Sequence, residues 1–161
     1  LINSTEGVLY AEIAMLSEND KADGSQIFLS SGSSNSRIGI FTDNNGDYRV
    51  QIKDNDEAVA NRNVTILDQS ASGVDTAAFN KIAILYKSGQ NRIFVNGSRI
   101  ANTNFDSYTF DYTVEGGSSS SLKRVGFDNG NGTDNYFRGK VKALRVYKET
   151  DGIDLATLTS L

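Results

Sequence analysis

The segment from residue 79 to residue 100 carries the clearest pattern in the chain, two runs of alternating apolar residues around a short polar turn. Ile82, Ile84 and Tyr86 take every second position of the first run, so they fall on one face of a β-strand. The second run ends at Asn96–Gly97, a dipeptide that is typical of tight hairpin turns. The segment therefore predicts antiparallel strands joined by short turns, which restricts the chain to sheet folds.

Similar short runs recur along the chain and predict further strands. They cover residues 8–16, 26–30, 37–42, 48–53, 57–67, 122–127 and 136–148. In the last run, Val141, Leu144 and Val146 are spaced by three and then two positions, which is typical of a β-bulge. Residues 153–159 form the one predicted helix, whose leucines could cover a sheet edge. We expect an all-β fold over residues 1–161, a single domain in which two antiparallel sheets form a jelly-roll sandwich with a short C-terminal helix.

Four residue types are absent from the 161-residue chain: Cys, His, Trp and Pro. Without His or Cys there is no imidazole base, no thiol nucleophile and no cysteine-bound zinc site. The net charge of −4 and the lack of a basic cluster in the sequence argue against a nucleic-acid partner. No apolar run is long enough to predict a membrane-spanning helix.

Two segments resemble the laminin-G-like jelly roll of the concanavalin A-like lectin/glucanase superfamily. The first has Phe79, a strand, a turn and then Phe94–Gly97, which reads FVNG; the second is the bulged strand at 137–147. The family often has Trp where this chain has Phe79. The resemblance implies a sandwich of the lectin type that binds sugars. Enzymes of this superfamily often carry a Glu-x-Asp-x-x-Glu motif, which this chain lacks, and Glu12 is the only Glu inside a clear strand.

A narrower resemblance links three segments to domains of tailed-bacteriophage virion proteins, particularly tail fibres. These segments are residues 6–16, 127–147 and 154–161. The stretch from 148 to 155 departs from the acidic helix that is usual in that group. The resemblance implies a location on a virion surface or outside the cell. The partners that it implies are a bacterial surface polysaccharide or other glycan, and other virion or fibre subunits.

Aromatic residues beside polar turns are the candidate sugar contacts. Aromatic rings stack on the apolar C–H faces of sugars, and Asn, Asp and Arg side chains bond their hydroxyls. The predicted ligand-binding residues are Arg37, Asn45, Asp47, Tyr48, Tyr112, Asn135 and Tyr136. The alternative for each tyrosine is that its ring caps the end of the core.

The loop at 128–135 offers carboxylate and amide oxygens, the ligands that Ca²⁺ prefers. The predicted calcium ligands are Asp128, Asn129, Asn131 and Asp134. The alternative is a hairpin closed by ordinary Asx and Gly turns, since the loop does not follow the EF-hand order.

The sequence leaves several functions open. The leading hypothesis is a non-enzymatic glycan-binding module used in host attachment, which binds through loops at one end of the sandwich or through the concave face of a sheet. A structural domain that binds protein in a virion or fibre is the second, and a carbohydrate-binding module of a secreted bacterial enzyme is a variant of the first. A small hydrolase or lyase is the third, which the missing acid pair and the missing His disfavour.

Overall fold

Ten strands and two short helices occur in the residues that the computed structural model describes, which are 2–16, 25–54, 62–112, 121–133 and 135–161. The strands are β1 (Glu6–Met15), β2 (Gln26–Ser30), β3 (Ser36–Thr42), β4 (Tyr48–Asp54), β5 (Arg62–Leu67), β6 (Asn80–Lys87), β7 (Arg92–Val95), β8 (Ser98–Ile100), β9 (Arg124–Gly126) and β10 (Gly139–Tyr147). The helices are α1 (Thr103–Asp106) and α2 (Leu155–Thr159).

The strands form two five-stranded sheets. The first has the order β10-β1-β6-β7-β8, and the second has the order β5-β4-β3-β2-β9. Neighbouring strands within each sheet are antiparallel. The predicted all-β class, with two antiparallel sheets in a jelly-roll sandwich, is therefore confirmed.

The core lies between the inner faces of the two sheets. Ile82, Ile84 and Tyr86 of β6, the residues that the alternating pattern placed on one face, are fully buried in it. The second sheet contributes Ile38 and Ile40 of β3 in the same alternating way. The period of two in the sequence thus identified the inward face of β6 correctly.

The predicted turn and bulge are both present. Asn96 and Gly97 have φ angles of 49° and 83°, the left-handed values that a tight hairpin of this kind requires at both central positions. In the β1–β10 pairing, Glu12 is opposite Ala143 and the next residue of β1 is opposite Val141. One residue of β10, Lys142, is therefore extra, which is a bulge at the position where the spacing changes.

The predicted C-terminal helix is confirmed as α2, which contacts β6, β7 and the edge strand β8 of the first sheet. Leu155 packs with Val8, Tyr10 and Ala83, which lie on the outer face of the first sheet. That face is itself apolar, so it needs a cover. Asp154 begins the helix by accepting hydrogen bonds from two backbone N–H groups of its first turn.

Helix α1 was not predicted. Its single turn is capped by Asn102, whose side-chain oxygen accepts from the Phe105 backbone N–H at 3.0 Å. Phe105 is fully buried and ties the turn to the core. Elsewhere, the predicted strand at 57–67 is seen from Arg62 onward, and residues 55–61 lie outside the described part of the chain. Neither helix of the described residues is long and apolar enough to cross a membrane.

Candidate functional site

The outer face of the second sheet carries a row of basic side chains. Because Ile38 and its alternate residues point into the core, Arg37 lies on the outer face. The strand register puts Lys53 of β4 directly opposite Arg37, and it puts Arg124 of β9 on the same line two strands further on, across Ser30. Residues directly opposite each other share a face, so Lys53, Arg37 and Arg124 form what we call the basic row.

Arg37 is fixed in the middle of this row. Its Nε donates to Oε1 of Gln51 at 2.7 Å, and the Gln51 amide donates in turn to Oδ1 of Asn63 at 2.8 Å. Its Nη1 donates to the backbone oxygen of Asn129. The guanidinium lies over the ring of Phe28, 4.5 Å from its centroid. A network across three strands therefore holds the cation in one orientation before any ligand arrives.

The other two residues of the row, Lys53 and Arg124, differ in their hydrogen-bond and ion-pair partners. Lys53 Nζ donates to the side-chain oxygen of Asn35 at 3.0 Å. In these contacts Lys53 and Arg37 donate to neutral oxygens, which orient the two cations. Arg124 forms an ion pair with Asp128, whose side chain is 7% exposed.

Two tyrosines predicted to contact ligand are core residues. Tyr48 and Tyr112 are both 0% exposed. The Tyr112 hydroxyl donates to the backbone oxygens of Arg37 and Lys53, and burial raises the pKa of Tyr112 well above its usual value. Burial also raises the pKa of Tyr48. A ring without exposed surface cannot stack on a sugar. The structure therefore agrees with the alternative, in which these rings fill the core.

The turn between β3 and β4 is stabilised by its own carboxylates. Asp43 accepts from the backbone N–H groups of Asn45 at 2.9 Å and Asp47 at 3.2 Å, and it pairs with Arg49 at 3.5 Å. Asp47 accepts from the backbone N–H of Gln69 at 2.9 Å. Asn45 is exposed. This turn follows the end of β3, whereas Arg37 is near its start, so the structure does not bring these predicted contacts together with Arg37.

Asn135 and Tyr136 are exposed and lie beside the edge of β2. Tyr136 is 57% exposed, its hydroxyl donates to the backbone oxygen of Gly132 at 3.2 Å, and its backbone forms an isolated bridge with Gln26. Asn135 has a φ of 54°, in the left-handed region. Of the predicted tyrosines, Tyr136 is thus the one that presents a ring to solvent, at the other end of β2 from the basic row.

The loop predicted to hold calcium contains Asp128, Asn129, Asn131 and Asp134. Asp128 accepts from the backbone N–H groups of Gly130 and Gly132 and from the guanidinium of Arg124. The side-chain oxygens of both asparagines accept backbone N–H groups of the same loop. Asp134 lies outside the described residues, and within them no three His, Cys, Asp or Glu side chains gather as metal ligands would. Calcium stays a prediction here, and Arg124 competes for its principal carboxylate.

Sequence reasoning missed most of the basic row. Lys53 and Arg124 of the row were absent from the predicted contacts. Gln51 and Asn63, which hold Arg37 in place, were absent too. The alternation in β4 does place Gln51 and Lys53 on the outward face. What the sequence does not reveal is the register between strands, which decides that Lys53 and Arg37 are neighbours.

A family model of the concanavalin A-like lectin/glucanases superfamily, of the laminin G type, matches residues 15–150. The chain belongs to this superfamily. The match confirms the broader of the two resemblances and agrees with the observed sandwich of a lectin type. No curated protein matches this chain significantly by sequence.

Solved structures resemble this lectin-type chain over nearly its whole length. The CBM40 module of the Ruminococcus gnavus IT-sialidase, bound to alpha2,3 sialyllactose, superimposes with a TM-score of 0.66 at 16% identity, over 99% of this chain and 84% of that one. The leech intramolecular trans-sialidase gives 0.65 at 19% identity, over 99% of this chain. The NanB sialidase of Streptococcus pneumoniae gives 0.62 at 15% identity, again over 99%. The chain spans about a quarter of each of these two sialidases, 24%. At these identities the likeness establishes the fold alone, and the narrower resemblance to phage virion domains is not shown by it.

Proposed function

We propose that this protein is a non-catalytic glycan-binding module that holds an acidic glycan on the outer face of its second sheet. The observation that carries the proposal is the basic row, in which Arg37 and Lys53 stand side by side on adjacent strands. The chain as a whole is acidic, with a net charge of −4. On an acidic molecule, a local strip of positive side chains on one sheet face is where an anionic ligand would be attracted.

The chemistry of the row suits a carboxylated sugar. A guanidinium offers a planar pair of donors that matches a carboxylate, and hydrogen bonds between charged groups are about twice as strong as neutral ones. Asn63 is exposed, and its amide, which accepts from the buried Gln51 beside Arg37, can also bond sugar hydroxyls. The Ruminococcus gnavus module of the same fold is bound to a sialyllactose, and a sialyl group carries one carboxylate. This supports sialylated or similarly acidic chains as the ligand class.

The absence of His and Cys from the sequence supports binding without catalysis. The reactions of the sialidases that contain a similar fold are not carried over, because this chain spans 24% of their length. Two contexts fit a binding module of this kind. One is a carbohydrate-binding module of a bacterial enzyme that acts on glycans outside the cell, which the sialidase neighbours favour. The other is the tail-fibre or virion protein predicted from the sequence, in which several copies would raise the avidity of a weak site.

The test compares sialyllactose with lactose by isothermal titration calorimetry, for the wild type and for Arg37→Gln and Lys53→Gln. We expect the wild type to bind sialyllactose more tightly, and the preference to weaken as salt is raised. Loss of one charged hydrogen bond of about 1.5–3 kcal/mol should weaken sialyllactose binding about ten- to a hundredfold.

Arg138→Gln is the matched control, because Arg138 is exposed and lies outside the basic row. It should bind sialyllactose like the wild type. Equal binding by wild type, Arg37→Gln and Lys53→Gln, with all three folded, would contradict the proposal.

A further inference from the structure

A cleft of about 540 Å³ opens at one end of the sandwich. One wall is formed by the end of β4 at Asp54 and the start of β5 at Arg62, and the other by residues 104–111, which include part of α1 and the segment after it. This volume lies within the range of about 300–1,000 Å³ that is typical of small-ligand sites. The cleft is separate from the basic row, which lies on the outer face of the sheet.

Tyr108, in the second wall, contacts both residues of the first wall. This ring is 6% exposed, and its hydroxyl bonds Oδ1 of Asp54 at 2.6 Å. The guanidinium of Arg62 lies over the ring, 5.2 Å from its centroid. The Nε atom of Arg62 is buried and has no hydrogen-bond partner among the described residues. A smaller cavity of about 120 Å³ is lined by the same Arg62, which thus lies between two open spaces.

The second wall is fixed in place from behind. Asn91 is fully buried, and its amide donates to the backbone oxygens of Phe105 at 2.9 Å and Tyr108 at 2.8 Å. The hydroxyl of Ser88 accepts from the backbone N–H of Phe110 at 2.9 Å. A wall anchored at three points keeps its shape when empty, so a ligand would not have to order it.

The described lining of the cleft carries charged groups of both signs. Asp54 and Asp111 line it together with Arg62, which gives two carboxylates and one guanidinium. Asn104 adds an exposed amide, and hydroxyls flank it. Carboxylates accept hydrogen bonds from vicinal hydroxyls, and the guanidinium and amide donate to ring and hydroxyl oxygens. A neutral polyhydroxyl ligand offers both hydrogen-bond donors and acceptors, and so can satisfy both kinds of partner.

We propose that this cleft is a second binding site, which takes a neutral sugar residue. The site does not depend on the acidic-glycan function of the basic row, and either can exist without the other. A weak, millimolar affinity for a single sugar is expected from a shallow polar cleft of this kind.

The test follows backbone amide resonances of the ¹⁵N-labelled protein during titration with galactose, glucose and N-acetylglucosamine. We expect at least one sugar to shift amides of residues 104–111 and of Arg62 in a saturable way. The double variant Arg62→Gln/Asp111→Asn should weaken this binding about tenfold or more, because it removes two charged partners. Asp111→Asn alone serves where the double variant is not folded. The paired control, Arg138→Gln/Asp151→Asn, changes the same residue types at exposed positions away from the cleft.

Variants of each proposed site, tested with the ligand of the other site, distinguish the two proposals. Arg37→Gln should keep the neutral-sugar shifts, and Arg62→Gln/Asp111→Asn should keep sialyllactose binding. The second site is refuted if none of the three sugars shifts these amides, if the shifts fall elsewhere, or if Asp111→Asn and the double variant bind as the wild type does.

Discussion

Replacement of Asn91 by Ala should destabilise the protein more than most single substitutions in its turns. Asn91 is a polar side chain that is 0% exposed, in the turn between β6 and β7. Its amide donates to the backbone oxygens of Phe105 and Tyr108, and its Oδ1 accepts from the backbone N–H of Lys87 at 3.1 Å. The variant loses all three bonds and leaves Lys87 without this acceptor.

The magnitude follows from these three bonds. Each contributes a net 0.5–1.5 kcal/mol, so the free energy of unfolding should fall by about 3 kcal/mol. The carbonyls of Phe105 and Tyr108 each keep one other backbone donor, from Tyr108 and Gly89, which holds the loss near this value. For a domain of this size, the melting temperature should fall by about 6–12 °C.

The assay is urea unfolding at constant pH, followed by circular dichroism and by tyrosine emission, since the chain has no Trp. Asn45→Ala is the matched control, because Asn45 is exposed in another turn, and it should change stability by less than about 0.5 kcal/mol. The dependence on urea should keep its slope if the folded state is otherwise intact. An Asn91→Ala protein as stable as the Asn45→Ala control would refute the view that Asn91 anchors the wall of the cleft.

Three further outcomes are expected. Tyr48→Phe should raise the free energy of unfolding by about 1 kcal/mol in urea titrations, because the buried hydroxyl has no partner among the described residues; a clear loss of stability would reveal a bond to it. The Thr157 hydroxyl and backbone bonds hold the pKa of Asp154 below its usual 3.8, so its contribution is complete above pH 3.8 and is lost as the pH falls through the lower folded value. The wild type should therefore exceed Asp154→Ala in urea midpoint at neutral pH, and the two should converge in acid; a constant gap would contradict this. Calcium chloride should leave the melting temperature of the wild type unchanged relative to EDTA, since Arg124 occupies Asp128; a rise that Asp128→Asn abolishes would establish the calcium site instead.

The sequence predicts the fold well where alternation is clean. Ile82, Ile84 and Tyr86 were assigned to one face and are all buried, and the change of spacing near Val141 marked a real bulge. These features depend on residues that are close together in the chain, so the sequence alone can reveal them. Helix α1 was not predicted because one turn capped by Asn102 is too short to show a helical period.

The candidate site was predicted less well, since it depends on contacts between strands. Arg37 was chosen, and the structure joins it to the backbone of Asn129 in the second candidate loop. Tyr48 and Tyr112 were chosen because they stand beside polar turns. Tyr48 instead points inward from β4, and Tyr112 is buried with its hydroxyl bonded to the backbone of Lys53. One wall of the cleft contains Asp54 and Arg62, and the other contains residues 104–111. These two parts are far apart in the chain, and only packing brings them together.

The pairing of β1 with β10 has a consequence for how the chain folds. Val8 is opposite Tyr147, so one of the longest strand pairings in the molecule joins two ends of the described sequence. Closing so long a loop is slow, and β1 has an open edge until β10 is available. Nine of the ten residues of β1 are buried in the finished sheet. Chains that stop short of β10 would therefore expose the unpaired edge of β1 from Val8 to Met15, which is a template for aggregation, and chaperone dependence during synthesis should end only when the last strand has docked.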